Sequence, residues 1–571
     1  MSSTTNLSIF NQTFKKSVIG VVIVFAVLFF LSVVFTWLSL QKLQNYQLKP
    51  AQQLSKLARI SLTPWQYLTL RQSHALEAWS SGLSIISLLP TLSQEIETSW
   101  QSLSQTTYLA TSEDNKFLTD QLSTKIIQAS HYLEDFNSHV NKSRLLQFFI
   151  SEQQLTELNK LTQLAQSLQV IIEHFSQGQH NVVVLLHNSD EIRATGGFIG
   201  SVVSLSLTQG KMSEPIFYDI YDLATQTVLQ KPAPVGVKLF LSGGKDGLAL
   251  TDANWEPDFS QSAQDILDLL DQTILPRTDL LVAVNLDLVR DILEVTGPVV
   301  LPDYPPDKQT VTAENLSQLA RQDRYDFFAG DKQKKLFLQD FYTVLKIKLT
   351  QLDQGQFLQL VKTFINSAQT KQYFFYSTQP YIQELFIIHD IAGVINPVTD
   401  FFLYPVESNV GINKANQKID REVDLKISSN LITFLIKFQN NNQPLSAEEV
   451  SLIHNNPDLQ QADHLGYVNY FRLLTNARFS QVTVKCNNLP IELLEKDLVP
   501  TWQGQAHQFG FLLTVPEQAS TNCEIGLVPS QPLAPSHSWS ILKQPGLPET
   551  EYNITFFGQR SQKKLNKKII F

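Results

Sequence analysis

Residues 181–201, NVVVLLHNSDEIRATGGFIGS, form the most informative pattern in the sequence. Asn181–Leu186 is a short apolar run of the kind that forms a buried strand. Phe198–Leu207 is a second such run, and it ends at the turn Gln209-Gly210. The segment between the two runs, His187–Ser201, is charged and rich in glycine. We therefore expect it to connect two strands at one edge of a sheet.

This connecting segment has two interpretations. In the first it binds an anion such as a diphosphate, because Gly196 and Gly197 let the backbone approach a bound group closely. Arg193 would then be a planar donor to the anion, while Asp190 and Glu191 are candidate ligands of a magnesium ion. In the second it is a tight strand connection with an internal Glu–Arg pair.

The sequence that follows alternates between strand and helix patterns. Asp279–Asn285 (DLLVAVN) is a strand pattern between two helical patterns. Such alternation builds βαβ units, in which helices cover the faces of a sheet. We therefore predict an α/β sandwich domain over residues 178–400. Its other predicted helices are 262–270, 286–295, 313–321, 334–352 and 380–387, and its other predicted strands are 298–301 and 372–376.

Two further polar clusters lie in this domain. Residues 251–262, TDANWEPDFSQS, offer Asp252 and Asp258 as candidate oxygen ligands of magnesium. The alternative is an Asx-rich turn that caps the helix starting near Ser262. Residues 321–335, RQDRYDFFAGDKQKK, concentrate positive charge that suits a diphosphate or, alternatively, form a solvated helix face. Its candidate anion-binding residues are Arg321, Arg324 and Lys335.

Residues 401–571 alternate between apolar and polar side chains with the period of a strand, as in Ile432, Phe434, Ile436 and Phe438. Turn-rich segments separate these runs, so we predict a C-terminal antiparallel β-sandwich. Cys486 and Cys523 both lie in it, and the sequence leaves open whether they are bridged or are two buried free thiols.

Residues 41–177 are rich in Leu, Gln and Ser and repeat apolar residues every three or four positions. This period indicates amphipathic helices, which we interpret as an α-helical stem or bundle. Pro50, Pro64 and Pro90 are expected to break the stem into separate helices.

Residues 18–38, VIGVVIVFAVLFFLSVVFTWL, carry no charge and are long enough to cross the hydrocarbon layer. We predict a transmembrane helix over 17–40, a cytoplasmic tail over 1–16 and a cell-membrane protein with its bulk outside the cytoplasm. A cleaved signal peptide is the alternative. Basic residues flank the segment on both sides, so the positive-inside rule does not decide the orientation.

The composition excludes several classes of function. The chain has 44 Lys and Arg against 53 Asp and Glu, a net charge of −9, which argues against a nucleic-acid-binding protein. Its 2 cysteines exclude a disulfide-rich scaffold, a four-cysteine zinc site and an iron–sulfur protein. The G-x-S-x-G and H-E-x-x-H signatures of hydrolases and metalloproteases are missing.

Several of these motifs resemble a bacterial family known only as domain of unknown function 4012. They are N-S-D-E-I-R-A-T-G-G-F-I-G-S, D-A-N-W-E-P-D-F, the step Thr296-Gly297-Pro298, and Asn409-Val410-Gly411 with Lys414. The resemblance covers roughly residues 180–571 and implies a single-pass membrane protein without a settled activity. Thr251 stands where the family pattern would have an arginine.

A more distant similarity is to the LytR–CpsA–Psr phosphotransferases, which also have a short tail, one anchor and an outer α/β domain. Asp279–Leu301 is similar to one of their segments, and Arg321, Arg324, Asp331 and Lys334 or Lys335 are similar to their arginine-rich motif. The similarity implies magnesium-dependent transfer of a glycopolymer from a polyprenyl diphosphate. The residues thus leave two hypotheses: a binding or scaffold protein of cell-surface assembly, or this transferase.

Overall fold

The computed structural model describes residues 24–43, 45, 47–69, 73–104, 112–144, 151–228, 230–242, 246–302, 304, 309–316, 319, 332–455 and 463–571. Contacts between residues divide the chain into two units, which are Met1–Gln179 with Leu207–Met212, and His180–Ser206 with Ser213–Phe571. We call them the helical unit and the body. The predicted cytoplasmic tail, residues 1–16, lies outside the described residues.

The described part of the helical unit is built from long helices, as the apolar period predicts. They are α1 (Val24–Leu43), α2 (Leu48–Leu68), α3 (His74–Ser104), α4 (Ser112–Lys142) and α5 (Glu152–Phe175). The prediction that proline separates the helices was wrong for Pro64, which lies inside α2, and for Pro90, which lies inside α3, whereas Pro50 lies in the first turn of α2. Each proline removes one backbone hydrogen bond, but tertiary packing supplies most of the stability of a helix in a protein. Ala58 and Leu62 of α2 are buried in one cluster with Leu83 of α3.

Helix α1 is long and apolar enough to cross a membrane, with a mean hydropathy of 2.1. Only 11% of its most apolar window is buried within the protein. A helix with these properties near the N-terminus is weak support for a membrane anchor, since a signal sequence has the same features. Residues 17–23 of the predicted span lie outside the described residues.

The first part of the body contains a mixed sheet and short helices. Its strands are β1 (Gln179–Asn188), β2 (Phe198–Thr208), β4 (Ile216–Asp219), β5 (Leu280–Asn285), β6 (Val299–Val300), β7 (Thr310–Val311) and β8 (Tyr373–Ser377), and the short strand β3 (Lys211–Met212) falls among the residues of the helical unit. Its helices are α6 (Ile220–Ala224), α7 (Val235–Phe240), α8 (Phe259–Leu270), α9 (Leu286–Thr296), α10 (Lys332–Thr350), α11 (Gln354–Gln369) and α12 (Pro380–Ile388).

Strands β2, β1, β5 and β8 lie side by side in this order, and β4 also pairs with β2. Strand β1 runs parallel to β5, with His187 opposite Asn285, whereas β8 is antiparallel to β5. Phe259, Ala263 and Ile266 of α8 share a buried core with β1, β2 and β5. Of the predicted helix 313–321, residues 313–316 and 319 are described, with a turn at 313–315 and helix at Leu316 and Leu319. The predicted strand–helix pattern from 262 to 301 matches α8, β5, α9 and β6.

The C-terminal part of the body contains two sheets that share one core. The first sheet has the order β14-β13-β17-β11-β10-β19-β20 and the second the order β15-β16-β12-β9-β18-β21. Phe434 and Phe438 from the first sheet are buried with Phe471 and Phe511 from the second. The strands are β9 (Phe401–Asn409), β10 (Ile419–Ile427), β11 (Ile432–Asn440), β12 (Tyr467–Thr475), β13 (Phe479–Cys486), β14 (Leu489–Pro490), β15 (Glu495–Thr501), β16 (Gly504–Val515), β17 (Ser520–Pro529), β18 (Trp539–Leu542), β19 (Thr550–Phe556), β20 (Gln559–Leu565) and β21 (Lys568–Ile570), with one helix, α13 (Ala447–Asn455).

Two strand pairs depart from the antiparallel arrangement that we predict. Strand β19 runs parallel to β10, and β18 runs parallel to β9. Each pair joins strands far apart in the sequence, so no hairpin turn dictates their direction. Cys486 of β13 and Cys523 of β17 lie opposite each other and form a disulfide. Of the two alternatives that the sequence left open, bridged cysteines or two free thiols, the structure therefore has the bridged cysteines.

Candidate functional site

The segment His187–Ser201 connects β1 to β2, as predicted, and passes over the carboxyl ends of β1 and β5. The carboxyl ends of parallel strands are where open α/β sheets usually bind their ligands. His187 and Asn285 are paired positions at the ends of these two strands. Both are buried, so the described site is an interior arrangement of polar groups.

The glycines of this segment allow close packing within the protein. A Cβ atom on Gly196 would lie 2.4 Å from Oδ1 of Asn285, and one on Gly197 would lie 2.3 Å from the carbonyl oxygen of Asn188. Gly196 also has φ +123°, in a region that favours glycine. These two glycines therefore bring the backbone close to its own strands, which is the role that the second interpretation gives them.

Arg193 is almost completely buried, with 2% of its side chain exposed, and it contacts other protein groups. Its Nη2 lies 3.0 Å from Oε1 of Glu191, which is the internal ion pair of the second interpretation. Its Nη1 donates to the carbonyl oxygens of Asn409, at 2.5 Å, and Ile192, at 3.3 Å. The guanidinium group thus joins the segment to the end of β9.

The backbone of the segment is also held by side chains from the C-terminal strands and loops. Asn416 donates to the carbonyl oxygen of Ser189 at 2.7 Å. Gln544 donates to the carbonyl oxygen of Arg193 at 3.0 Å and to that of Glu407 at 2.7 Å. These hydrogen bonds cross from the strand-and-helix part of the body to its C-terminal part, so the segment connects the two parts.

The second sequence cluster reaches the first. Asn254 donates to Oγ1 of Thr195 at 3.0 Å and to the carbonyl oxygen of Gly197 at 2.8 Å. The carboxyl group of Asp252 is buried, and burial raises its pKa, while the positive charge of Arg193 acts in the opposite direction. Arg193 and Asp252 are therefore close enough to interact, as the transferase hypothesis requires of them.

Asp258 has a different environment. Its Oδ1 accepts from the backbone N–H of Ser260 at 3.0 Å at the start of α8. Its Oδ2 accepts from the backbone N–H groups of Ile395, at 3.0 Å, and Trp502, at 2.9 Å. Asp258 is thus the helix cap of the alternative interpretation and also joins three separate segments of the body.

The structure does not place the side chains of the remaining anion-binding candidates. Arg321 and Arg324 lie outside the described residues. Lys335 lies on α10, but its side chain is not among those described. In the described part of the chain, no group of three or more His, Cys, Asp or Glu side chains is arranged to hold a metal ion. The described residues therefore do not form a cage of three or more such ligands around Asp190, Glu191, Asp252 or Asp258.

Sequence reasoning missed a second buried arginine, Arg472 of β12. Its guanidinium group lies 4.4 Å from the ring centroid of Trp255, and Nη2 donates to the carbonyl oxygen of Trp255 at 2.8 Å. Burial lowers the pKa of Arg472, and the nearby Glu256 acts in the opposite direction. The signal was a single charge inside the apolar run YVNYFRLLT.

A charged cluster at the same edge of the sheet also escaped the sequence analysis. Burial lowers the pKa of Lys543 to about 8, and Asp287 is the negative charge that counteracts this shift. Nζ of Lys543 donates to the carbonyl oxygen of Leu547 at 2.8 Å. Burial raises the pKa of Asp287, which hydrogen-bonds to Arg290.

A small cavity lies next to this cluster, within the C-terminal sheets. It has a volume of about 20 Å³, enough for about one water molecule, and Glu407, Arg421, Lys543 and Gln544 line part of it. Oε1 of Glu407 lies 2.6 Å from Nε of Arg421, and the hydroxyl of Tyr467 donates to Oε2 at 2.6 Å. The cavity is too small for a sugar or a diphosphate.

One part of the chain matches a protein family. No curated protein matches the chain significantly. Among solved structures, the Lin1025 protein from Listeria innocua is similar over 37% of this chain and 79% of its own, with 13% identity and a TM-score of 0.18. A TM-score this low supports no conclusion about fold or function. The region that contains both sequence clusters, residues 177–325, matches the family model described as protein of unknown function, DUF4012.

Proposed function

We propose that this chain is a single-pass membrane protein whose body lies outside the cytoplasm and acts as a binding or scaffold module in cell-surface assembly. The observation that carries the proposal is the environment of Arg193. Arg193 is the main candidate donor to an anion in the sequence, but its side chain is only 2% exposed. It is bonded to Glu191 and to backbone carbonyl oxygens. A guanidinium group held in this way is already bonded within the body, so a ligand would have to displace Glu191 or these carbonyl oxygens to bind it.

Two observations support the location. Helix α1 is uncharged up to Gln41 and mostly exposed, as expected of a helix that faces lipid. The disulfide between Cys486 and Cys523 belongs to the body, and disulfides persist in oxidising compartments outside the cytoplasm. Protease added to intact cells should therefore degrade the body, and protection of the body would contradict this orientation.

The transferase remains a second candidate because Arg193, Glu191 and Asp252 come from two separate motifs and interact. In that reading Arg193 and the basic residues Arg321 and Arg324 would bind a polyprenyl diphosphate. No group of three or more His, Cys, Asp or Glu side chains among the described residues is arranged to hold its magnesium ion, so we derive no chemical step for it. It requires that a ligand displace the Arg193–Glu191 ion pair.

One experiment separates the two functions. The full chain in lipid nanodiscs is titrated with a short-chain polyprenyl diphosphate, with and without magnesium chloride, by calorimetry. A scaffold should show no saturable binding. Magnesium-dependent binding that is lost in Asp252→Asn, but kept in the exposed control Asp268→Asn, would replace our proposal with the transferase.

A genetic test addresses the role directly. A strain that lacks the protein is complemented with the wild-type chain or with Asp252→Asn, at equal protein levels. Both chains should correct the cell-surface defect of this strain to the same extent. Restoration by the wild-type chain alone would contradict a purely scaffolding role.

A further inference from the structure

Two histidines of the helical unit meet where the start of one helix approaches the end of the next. Nδ1 of His74, the first residue of α3, lies 3.1 Å from Nδ1 of His139, which is in the last turn of α4. The ring centroids are 5.4 Å apart, and the ring planes are tilted by 32°. Both residues are partly exposed, so solvent and small ions can reach the pair.

The backbone on both sides of this pair is anchored in the packing between the helices. Ala78 lies one turn after His74, and Val140 follows His139 directly, and both are completely buried. Helices α3 and α4 pack against each other over a long contact. The two histidines therefore stay close together as long as the helical unit is folded.

Two imidazole rings in this position can interact in two ways. In the first, the Nδ1–H of one ring donates a hydrogen bond to the bare Nδ1 of the other. In the second, both nitrogens are bare and bind one metal ion, which takes the place of the shared proton. The first needs no further group, so the second depends on what surrounds the pair.

The distance between the nitrogens suits two ligands of one ion. Zinc binds imidazole nitrogen at about 2.0–2.1 Å with tetrahedral geometry, which places two such nitrogens roughly 3.3 Å apart. The observed 3.1 Å is close to this value. A rotation of the two rings about their side-chain bonds turns both lone pairs toward one point. Imidazole nitrogen also binds Cu²⁺ and Ni²⁺.

Glu77 supplies a negative charge beside the pair. It lies three residues after His74 in the first turn of α3, so the two side chains are on the same side of this helix. Oε1 of Glu77 is buried and has no hydrogen-bond partner in the described part of the chain. A buried carboxylate oxygen without a donor is unfavourable, and a cation nearby reduces this cost.

The charges along both helices also favour a cation. From His74 to Ser104, α3 contains no Lys or Arg that would repel one. Asp135 precedes His139 by four residues, which places the two on the same side of α4. His139 itself lies in the last turn of α4, where the partial negative charge of the helix end attracts cations. Lys142, one turn farther along, is exposed to solvent.

We propose that His74 and His139 bind one divalent transition-metal ion, such as Zn²⁺, with Glu77 as a supporting carboxylate. The described residues offer two protein nitrogens and not a cage of three or more ligands, so water completes the coordination. The bound ion links the start of α3 to the end of α4 and thereby stabilises the helical unit. This inference does not depend on membrane attachment or on the role of the body.

Calorimetric titration with zinc chloride tests the site. The full chain is used in detergent micelles and is purified without a polyhistidine tag. We expect one saturable site in the wild type and at least a tenfold loss of affinity in His139→Ala. His74→Asn should lose the site as well, although its amide group can keep a hydrogen bond to His139. His131→Ala removes an exposed histidine of the same helix α4 and should bind zinc as the wild type does.

The outcomes distinguish the two ways in which the rings can interact. The absence of saturable zinc binding to the wild type would leave a plain hydrogen bond and overturn the proposal. Binding that persists in both His74→Asn and His139→Ala would place the ion elsewhere and overturn it as well. Glu77→Gln should weaken binding several-fold, and an unchanged affinity would remove Glu77 from the site. Circular dichroism checks that each variant keeps the helix content of the wild type.

Electron paramagnetic resonance with Cu²⁺ requires no variant. One equivalent of copper bound to the wild-type chain should show hyperfine coupling to two imidazole nitrogens. Coupling to only one nitrogen would overturn the pairing of His74 with His139. Zinc should also raise the midpoint of thermal unfolding of the helices in the wild type but not in His74→Asn. Equal midpoints with and without zinc in the wild type would contradict the stabilising role of the ion.

Discussion

Gly546 packs directly against the carbonyl oxygen of Gly196, so that a Cβ atom on Gly546 would lie 1.9 Å from this oxygen. Gly546 belongs to the connection between β18 and β19, whereas Gly196 belongs to the segment between β1 and β2. The contact therefore holds the glycine-rich segment against the C-terminal part of the body through backbone atoms alone.

Gly546→Ala should destabilise the body strongly, because the methyl group has no space and Gly546 also has φ +74°. Gly558→Ala is the matched control, since Gly558 has φ +87° but no atom within 4 Å of its added Cβ. The control should lose about 1 kcal/mol of unfolding free energy from backbone strain alone. Urea denaturation measures the unfolding free energy of both variants. Equal losses in Gly546→Ala and Gly558→Ala would show that the Gly196–Gly546 contact is not tight.

Arg193→Met should cost about 3–5 kcal/mol of unfolding free energy, because it leaves the buried carboxylate of Glu191 without its partner. The double variant with Glu191→Leu should recover a large part of this loss, since neither charge then remains buried. Arg290→Met removes a more exposed partner of Asp287 and should cost under about 1 kcal/mol. A double variant as unstable as Arg193→Met would argue against the ion pair.

Replacing Cys486 and Cys523 by serine should lower the unfolding free energy by about 4 kcal/mol, because the bridge closes a loop with a sequence separation of 37. Denaturation of the wild-type body with and without reductant measures the same quantity. Alkylation of untreated cells should label neither cysteine. Labelling of both would contradict an extracytoplasmic body.

His187 should make stability depend on pH. Burial lowers its pKa to about 4 in the folded chain, against 6.5 for an ordinary histidine. Between these two values the unfolded chain binds a proton that the folded chain does not, so stability falls as the pH decreases from 6.5 to 4. The loss amounts to about 3 kcal/mol and is absent above pH 6.5.

The measurement is the unfolding free energy as a function of pH for wild type and His187→Gln. The variant should show a flatter profile between pH 4 and 6.5. His131→Gln is the control, because this side chain is 73% exposed, and it should keep the wild-type profile. Identical profiles for His187→Gln and wild type would show that His187 is accessible to protons in the folded chain.

Elements whose signals are local could be predicted from the sequence. Strands β1, β2 and β5 are apolar runs bounded by turn residues, and α9 follows β5 directly. Helix α11 was missed, although Asp353 and Gln356 form a capping box at its start and this is a readable local signal. Whether a segment forms a helix or a strand depends largely on the residues next to it in the sequence, and most elements here have the type that this local pattern predicts.

The environment of the candidate site could not be predicted in the same way. The partners of its main segment are Asn409, Asn416 and Gln544, which are hundreds of residues away. An arginine beside glycines has the same sequence pattern whether it binds a ligand or a distant carbonyl. The direction of β18 and β19 depends likewise on strands far earlier in the chain.

The hydrogen bond from Gln544 to the carbonyl oxygen of Arg193 spans 351 positions of the chain. At a synthesis rate of about 5–20 residues per second, roughly 20–70 s pass between the emergence of these two residues. During that interval the carbonyl oxygen of Arg193 lacks its hydrogen bond from Gln544, and for the first 216 positions the guanidinium group of Arg193 also lacks its partner at Asn409. The partly synthesised protein therefore exposes the charged segment that contains Arg193 and Glu191 during most of its synthesis. A chaperone that covers this segment would protect the chain from aggregation before folding is complete.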